Sequence, residues 1–260
     1  MKFSELDKKI RIYETSHDFS VLPNIYMVAR IDGRGFTRLT KKEHSFEKPF
    51  DERFRDLMVE TVKHLMNSGF KVLYAYTESD EISLLFDIHE DVFSRKLRKY
   101  NSILAGEASA KFSLLLGDIG AFDCRISQLP RTKDVVDYFR WRHEDAHRNA
   151  LSAHCYWLLR KKGKTARQAT REIEGKSTSF KNELLFQNGI NFNEIPSWQK
   201  RGIGMYWQTF DKEGWNPIKK EKIVTKRRGI KIDMELPLGN AYSQFILEMI
   251  HKNTDDDMVG

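Results

Sequence analysis

The chain has 260 residues, with 44 Lys and Arg against 37 Asp and Glu, a formal net charge of +7, 40% hydrophobic and 31% charged residues. This composition excludes a disordered or fibrous chain and suits one large domain or two small ones, and the positive excess favours a polyanionic partner. Two cysteines, Cys124 and Cys155, exclude a disulfide framework, the charged opening MKFSELDKKIRIYE lacks the apolar run of a secretory leader, and no segment is apolar enough to span a membrane, so a cytoplasmic protein is expected.

In chain order, NIYMVARIDGRGF (24–36) is an apolar, β-branched run that closes on Asp32 and Gly33. It predicts a buried strand delivering Asp32 to a tight turn, where Gly33 and Gly35 let the backbone approach a ligand. DERFRDLMVETVKHLMN (51–67) sets Phe54, Leu57, Met58, Val62, Leu65 and Met66 at helical spacing, with Gly69 as a stop signal. KVLYAY (71–76) and ISLLF (82–86) read as two strands, with Val72, Tyr74 and Tyr76 on one face of the first and Ile82, Leu84 and Phe86 on one face of the second.

Between these strands lie Glu78, Ser79, Asp80 and Glu81. A polar turn explains Ser79 and one acid, whereas three carboxylates in four positions repel unless a cation stands among them. A further helix over about 91–116 and a strand over 121–130 complete the order strand, helix, strand, strand, helix, strand. That order is the split βαβ pattern of an antiparallel, ferredoxin-like α+β sheet. Its connectivity can bring the end of the first strand beside the tip of the central hairpin, so Asp32 and Asp80 are expected to face each other.

The second half is more helical. Residues 134–163 form a long helix ending in basic residues and Gly163, Thr165 and Gln168 form a capping box for a short helix closing at Gly175, and Pro196 starts another helical turn. GIGMYWQTF and the segment around Ile223 to Met234 read as a hairpin arm, and DDDMVG as a disordered tail. The expected organisation is a catalytic core over 1–133 and a helical and hairpin-arm extension over 134–260 packed on it.

Asp32-Gly33 with Ser79-Asp80-Glu81 supplies the oxygen ligands of a two-metal phosphoryl or nucleotidyl transfer site. HEDAH (143–147) fits the zinc protease pattern HExxH, but Arg142, Asp145 and Arg148 surround it and no third ligand is evident, so zinc is set aside. GKST (175–178) lacks the first glycine and the preceding strand of a phosphate-binding loop and reads better as a basic loop or helix cap. Basic clusters at Arg160, Lys161 and Lys162 and at Lys219, Lys220, Lys222, Arg227 and Arg228, the second interleaved with Tyr206, Trp207, Phe210 and Trp215, are materials for RNA contact as well as solvated faces.

ARIDGRGF, FEKPFDERF, YTESDEISLLF, FDCRI, YFRWRHEDAHRN and KNELLFQNGIN, in this order, resemble the tRNA-His guanylyltransferase superfamily, which adds nucleotides 3′-to-5′ at the 5′ end of RNA. The resemblance implies a polymerase-palm-like fold in which Asp32, Asp80 and the Gly33 carbonyl bind two Mg²⁺ ions, with Glu81 supporting Asp80 in catalysis. It implies Lys48 near the nucleotide triphosphate, and Arg34, Gly35, Phe36, Ser79, His147, Asn149 and Lys181 in nucleotide binding. ATP and GTP are the implied substrates, tRNA the partner and a homotetramer the assembly. HRNALSA (147–153) departs from the HINNLYN of the guanylyltransferases proper and is similar to the bacterial and archaeal "like" branch, which implies templated repair of truncated tRNA 5′ ends. Alternatives are addition of a single extra guanosine to tRNA-His, a palm-type nucleotide cyclase, and a non-catalytic RNA-binding protein.

Overall fold

The structure is a computed structural model that describes residues 1–216 and 221–256. Helix α1 (Phe3–Thr15) precedes strand β1 (Tyr26–Arg34), a short helical turn α2 (Phe36–Arg38) that continues as a π turn over Leu39–Glu43, and helix α3 (Glu52–Met66). Asp51 caps α3 by accepting from the Arg53 N–H at 2.7 Å, and Gly69, with φ of 91°, lies just past its end. Strands β2 (Val72–Glu78) and β3 (Glu81–Phe86) form the central hairpin, followed by helix α4 (Leu97–Leu116) and strand β4 (Ala121–Leu129). Helix α5 (Thr132–Lys161), short helices α6 (Ala166–Ile173), α7 (Thr178–Phe186) and α8 (Ser197–Arg201), strands β5 (Ile203–Asn216) and β6 (Glu221–Asp233), and helix α9 (Gly239–Asp256) complete the described chain.

The six strands lie in the order β4-β1-β3-β2-β5-β6, and every neighbouring pair is antiparallel. The first four reproduce the expected split βαβ connectivity, and β5 and β6 widen the same sheet. Helices α3 and α4 cover one face, where Met27, Ala29, Ile31, Ile82, Leu84 and Phe86 are buried. On the other face α5 and α9 pack against Val28, Tyr74, Tyr76 and Leu85. With both faces covered, β3 is buried at every position, so no polar face is left to alternate with the apolar one.

Several expectations need correction. Val72 lies on the α3 and α4 face while Tyr74 and Tyr76 lie on the α5 and α9 face, because the β2–β3 register shifts between Val72 and Tyr74. Asp32 does not sit in a turn: it is still within β1, paired with Glu81 on one side and Asp123 on the other. The expected helix over 91–116 starts later, since Phe93, Ser94 and Arg95 have positive φ and α4 opens at Leu97. Helices α1 and α9 were not expected, although Tyr242, Ile246, Met249 and Ile250 recur at helical spacing.

Other local signals match. The Thr165 and Gln168 capping box starts α6, Pro196 stands at the start of α8, and Ser177 of GKST caps α7 by accepting from the Phe180 N–H at 3.2 Å. Beyond Trp207, β5 pairs with β6 alone, which makes the hairpin arm. The DDDMVG tail falls largely outside the described residues. No helix among the described residues is long and apolar enough to cross a membrane.

Candidate active site

The β2–β3 hairpin turns on Ser79 and Asp80 alone, since Glu78 still pairs with Glu81 across it, and Ser79 takes the left-handed φ of 49° that so tight a turn requires. Two contacts hold the tip. The Ser79 hydroxyl donates to Asp80 Oδ1 at 2.9 Å, and the Gly33 N–H donates to the Asp80 carbonyl at 3.0 Å. A Cβ built on Gly33 would lie 2.6 Å from the Phe36 ring and 2.9 Å from Asp80 Cβ, so only glycine permits this approach of β1 to the tip. Asp80 is thereby brought to the end of β1, where burial and then the Asp32 charge raise its carboxyl above the ordinary carboxylate range.

The other carboxylates are not equivalent to this pair. Glu81, buried, receives Arg142 Nε on Oε1 at 2.7 Å and Arg142 Nη2 on Oε2 at 2.9 Å. Arg30 Nη2 also pairs with Glu81 Oε2, and the same nitrogen lies 3.4 Å from Asp32 Oδ2. Glu81 is therefore bound in arginine contacts, whereas Asp32 is met only at longer range by Arg30 and by Arg125 at 3.6 Å. Glu78 is pushed up to about 8 by burial and by the neighbouring Glu81, against the opposing pull of Arg142 at 3.4 Å.

A cavity of about 210 Å³ opens beside the tip, with Glu78, Ser79 and Asp80 in one wall. Lys48 lines it, its Nζ donating to the Thr40 carbonyl at 2.7 Å, and burial and the nearby Lys41 hold its pKa below the ordinary lysine value. Lys41 leaves the π turn with its Nζ 5.7 Å from the Tyr156 ring and 5.7 Å from the Trp157 ring. Arg55 lies 4.9 Å from the Trp198 ring. Cations with aromatic walls beside paired acids can hold a triphosphate and its base. Asp51 also lines the cavity, but its carboxyl is held at about 2, chiefly by Arg53.

Asp80, Ser79, Phe36 and Lys48 thus line the cavity, with Asp32 and Gly33 adjoining them. Phe36 is itself a core residue, packed 5.0 Å from Phe112 and 4.9 Å from Phe122 between ring centroids. Arg34 is exposed at the end of β1, and Gly35, with φ of 76°, starts α2. His147, Asn149 and Lys181 do not line the cavity: His147 sits edge-on to Phe192 at 5.4 Å, Asn149 bonds Asp145 and Lys181 bonds Ser152 Oγ. Arg160, Lys161 and Lys162 end α5, and Lys222, Arg227 and Arg228 are exposed on the arm. Lys219 and Lys220 lie outside the described residues.

In HEDAH, His143 and His147 lie on one side of α5, but His143 stacks on Tyr242 at 4.2 Å. Its pKa falls to about 4, mainly through burial. Among the described residues no cluster of three or more His, Cys, Asp or Glu side chains could hold a metal alone. The sequence reading missed Lys41, Arg55, Trp157 and Trp198 because they come from four separate segments. It used Arg142 only as a charge against a zinc site and did not foresee its burial; the signal there was an arginine on the helix that carries Val135, Val136 and Phe139 to the sheet.

Paired carboxylates beside phosphate-binding cations are the materials of nucleotidyl transfer, and likeness to known proteins sets the chain in that class as a nucleotidyltransferase. Residues 7–130 match the family model described as tRNAHis guanylyltransferase, and residues 133–236 that described as the Thg1 C terminal domain. The chain belongs to the tRNA(His) guanylyltransferase family. It is 35% identical over 195 residues to a probable tRNA(His) guanylyltransferase of Drosophila melanogaster, covering 71% of this chain and 68% of that protein. It is 33% identical over 218 residues to the tRNA(His) guanylyltransferase of Schizosaccharomyces pombe, covering 80% of this chain and 83% of that one. A bacterial tRNA(His) guanylyltransferase (Thg1)-like protein solved with ATP superposes with a TM-score of 0.73 at 25% identity, over 95% of this chain and 99% of that one.

Proposed function

We propose that this chain repairs truncated tRNA by template-dependent 3′-to-5′ addition of nucleotides to the 5′ end, on a polymerase-palm-like sheet. The observation that carries the reading is the hairpin tip, which presents Asp80 to the cavity that Lys41, Lys48 and Arg55 line and, through the Gly33 N–H, beside the end of β1 that carries Asp32. The donor set suits Mg²⁺: two carboxylates and the Gly33 carbonyl leave room for phosphate and water, and Asp80 gains from a cation because burial and Asp32 disfavour its charge. Asp32, Asp80 and Gly33 would hold two Mg²⁺ ions, which lower the pKa of an attacking hydroxyl and neutralise a triphosphate.

Lys48 and Lys41 bind the triphosphate, and Trp157 and Trp198 offer ring faces to the base. A 5′-monophosphate first attacks the α-phosphorus of ATP or GTP and releases pyrophosphate, leaving a nucleotidyl-capped end; the 3′-hydroxyl of the incoming nucleotide then attacks the 5′ phosphorus of the RNA and AMP or GMP leaves, or pyrophosphate where the end is a triphosphate. The ATP bound to the bacterial relative supports a nucleoside triphosphate as a ligand of this fold. The basic arm and the end of α5 hold tRNA phosphates. The chain assembles as a homotetramer in this reading, and α1, no residue of which is buried, offers the exposed Phe3, Ile12 and Tyr13 as contact surface.

The test is incubation with Mg²⁺, ATP and a tRNA lacking its first 5′ nucleotide, with labelled nucleotides supplied singly and Asp80→Ala alongside. Incorporation of only the nucleotide that pairs with the 3′ strand, abolished in the variant, is expected. Addition of guanosine whatever the opposite base would assign the chain to dedicated guanosine addition, the activity for which its relatives are named.

A further inference from the structure

The hairpin carries more acid than a Mg²⁺ site uses. Glu78 and Glu81 on the hairpin, Asp32 on β1 and Asp145 on α5 gather around two arginines: Arg30 meets Asp32 and Glu81, and Arg142 reaches Glu78, Glu81 and Asp145. Its side chain is 5% exposed. The guanidinium takes both oxygens of Glu81, lies 3.4 Å from Glu78 Oε1 and 3.3 Å from Asp145 Oδ2, and stands 4.6 Å from the Trp141 ring. Glu81 Oε2 and Asp32 Oδ2 share one arginine nitrogen, Arg30 Nη2, so a freed Glu81 carboxylate is within reach of the same cation as Asp32.

We propose that Arg142 is a positioning residue that keeps Glu81 out of metal coordination, so that the site presents two carboxylates instead of three and favours Mg²⁺ over larger ions. The inference rests on the two-carboxylate reading of Asp32 and Asp80. Its chemistry is that of hard cations: Mg²⁺ demands a small octahedral shell, keeps several waters and accepts one or two carboxylates, whereas Ca²⁺ takes more oxygen ligands in looser geometry. A bidentate guanidinium is well suited to the withdrawal, because it satisfies a carboxylate fully and cannot lose its proton. Lysine would hold the charge but not both oxygens.

The experiment measures divalent-ion binding directly. Free Mn²⁺ is followed by electron paramagnetic resonance with a non-hydrolysable nucleoside triphosphate present, and Mg²⁺ or Ca²⁺ is added as competitor to the wild type and to D80N, R142Q, R142K, E81Q and R142Q/E81Q. In R142Q the ratio of Ca²⁺ to Mg²⁺ affinity rises at least tenfold, and turnover with Mg²⁺ falls. In R142Q/E81Q the ratio returns to within threefold of wild type, because the arginine acts through Glu81. A ratio unchanged in folded R142Q, or one that stays raised in the double variant, overturns the proposal. If R142Q does not fold, R142K decides: a threefold rise supports the proposal, and a ratio within twofold of wild type overturns it. D80N separates the two readings, since Mn²⁺ binding untouched by D80N would refute the metal site itself. Binding abolished in D80N with the ratio unmoved in R142Q would refute only the role of Arg142.

Discussion

Gly33→Ala tests the geometry of the tip with one methyl group. The added Cβ would stand 2.9 Å from Asp80 Cβ and 2.6 Å from Phe36 Cδ2. Carbon atoms are at ease at about 3.5–4.0 Å, so something must yield by roughly 0.6–1.4 Å. Phe36 cannot yield cheaply, being buried against Phe54, Phe112 and Phe122, so the displacement falls on the turn that carries Asp80, where Ser79 is exposed and Asp80 half-buried. Overpacking of this kind costs about 1–3 kcal/mol, and a misplacement of about 1 Å can cost on the order of a hundredfold in rate. The expected result is a folded protein whose melting temperature drops by a few degrees and whose nucleotide addition to truncated tRNA falls roughly a hundredfold. Single-turnover rates and thermal melts of the same preparation check this. An alanine variant with wild-type rate, from a protein in which Asp80→Ala is dead, would show that the approach of β1 to the tip does not set the position of Asp80.

Three further outcomes follow from the same structure. Glu78 has its folded pKa raised from an ordinary 4.5 to about 8, so the native state binds more protons across that window and stability falls as pH rises through it. Metal-free protein should therefore resist denaturant less well at pH 8 than at pH 5, by an amount on the order of a few kcal/mol, and Glu78→Gln should flatten the profile; equal slopes in the two proteins would refute this. Ile246→Ala on α9 removes a fully buried side chain from the second core and should cost about 2–5 kcal/mol in chemical denaturation. Replacing Lys222, Arg227 and Arg228 by Ala should weaken tRNA binding and shrink the slope of log affinity against log salt by roughly one for each phosphate no longer neutralised, leaving nucleotide affinity unchanged. A salt slope equal to that of the wild type would remove the arm from the RNA-binding surface.

Local signals made much of this molecule legible in advance. Periodicity, caps and glycine stops are properties of a few neighbouring residues, which is why α3, α5, α6 and the central hairpin were readable, as was Ser177 as a cap in place of a phosphate loop. Where a few residues were not enough, the reading slipped: the shift between Val72 and Tyr74 reversed the facing of a strand that is buried on both sides and so had no polar face to mark it. The burial of β2 and β3 on both faces depends on α9, a helix more than a hundred residues further along the chain.

The sequence by itself determined the order of the elements from β1 to β4 and the approach of the end of β1 to the hairpin tip, because split βαβ connectivity allows few arrangements of four strands, whereas the register set Asp32 opposite Glu81 and left the contact with Asp80 to Gly33. Only the tertiary structure decided which acids are available. Glu81 stands beside Asp80 in the chain and looks its equal, yet Arg142, on a helix that follows the whole βαββαβ unit, takes both of its oxygens. The cavity is likewise an assembly of distant parts, with Lys41 from the π turn, Lys48 from the loop that follows it, and Trp157 and Trp198 from two helices of the second half. Charge neutralisation and burial act through space at a few ångströms, and sequence spacing carries no record of such distances until the chain has folded.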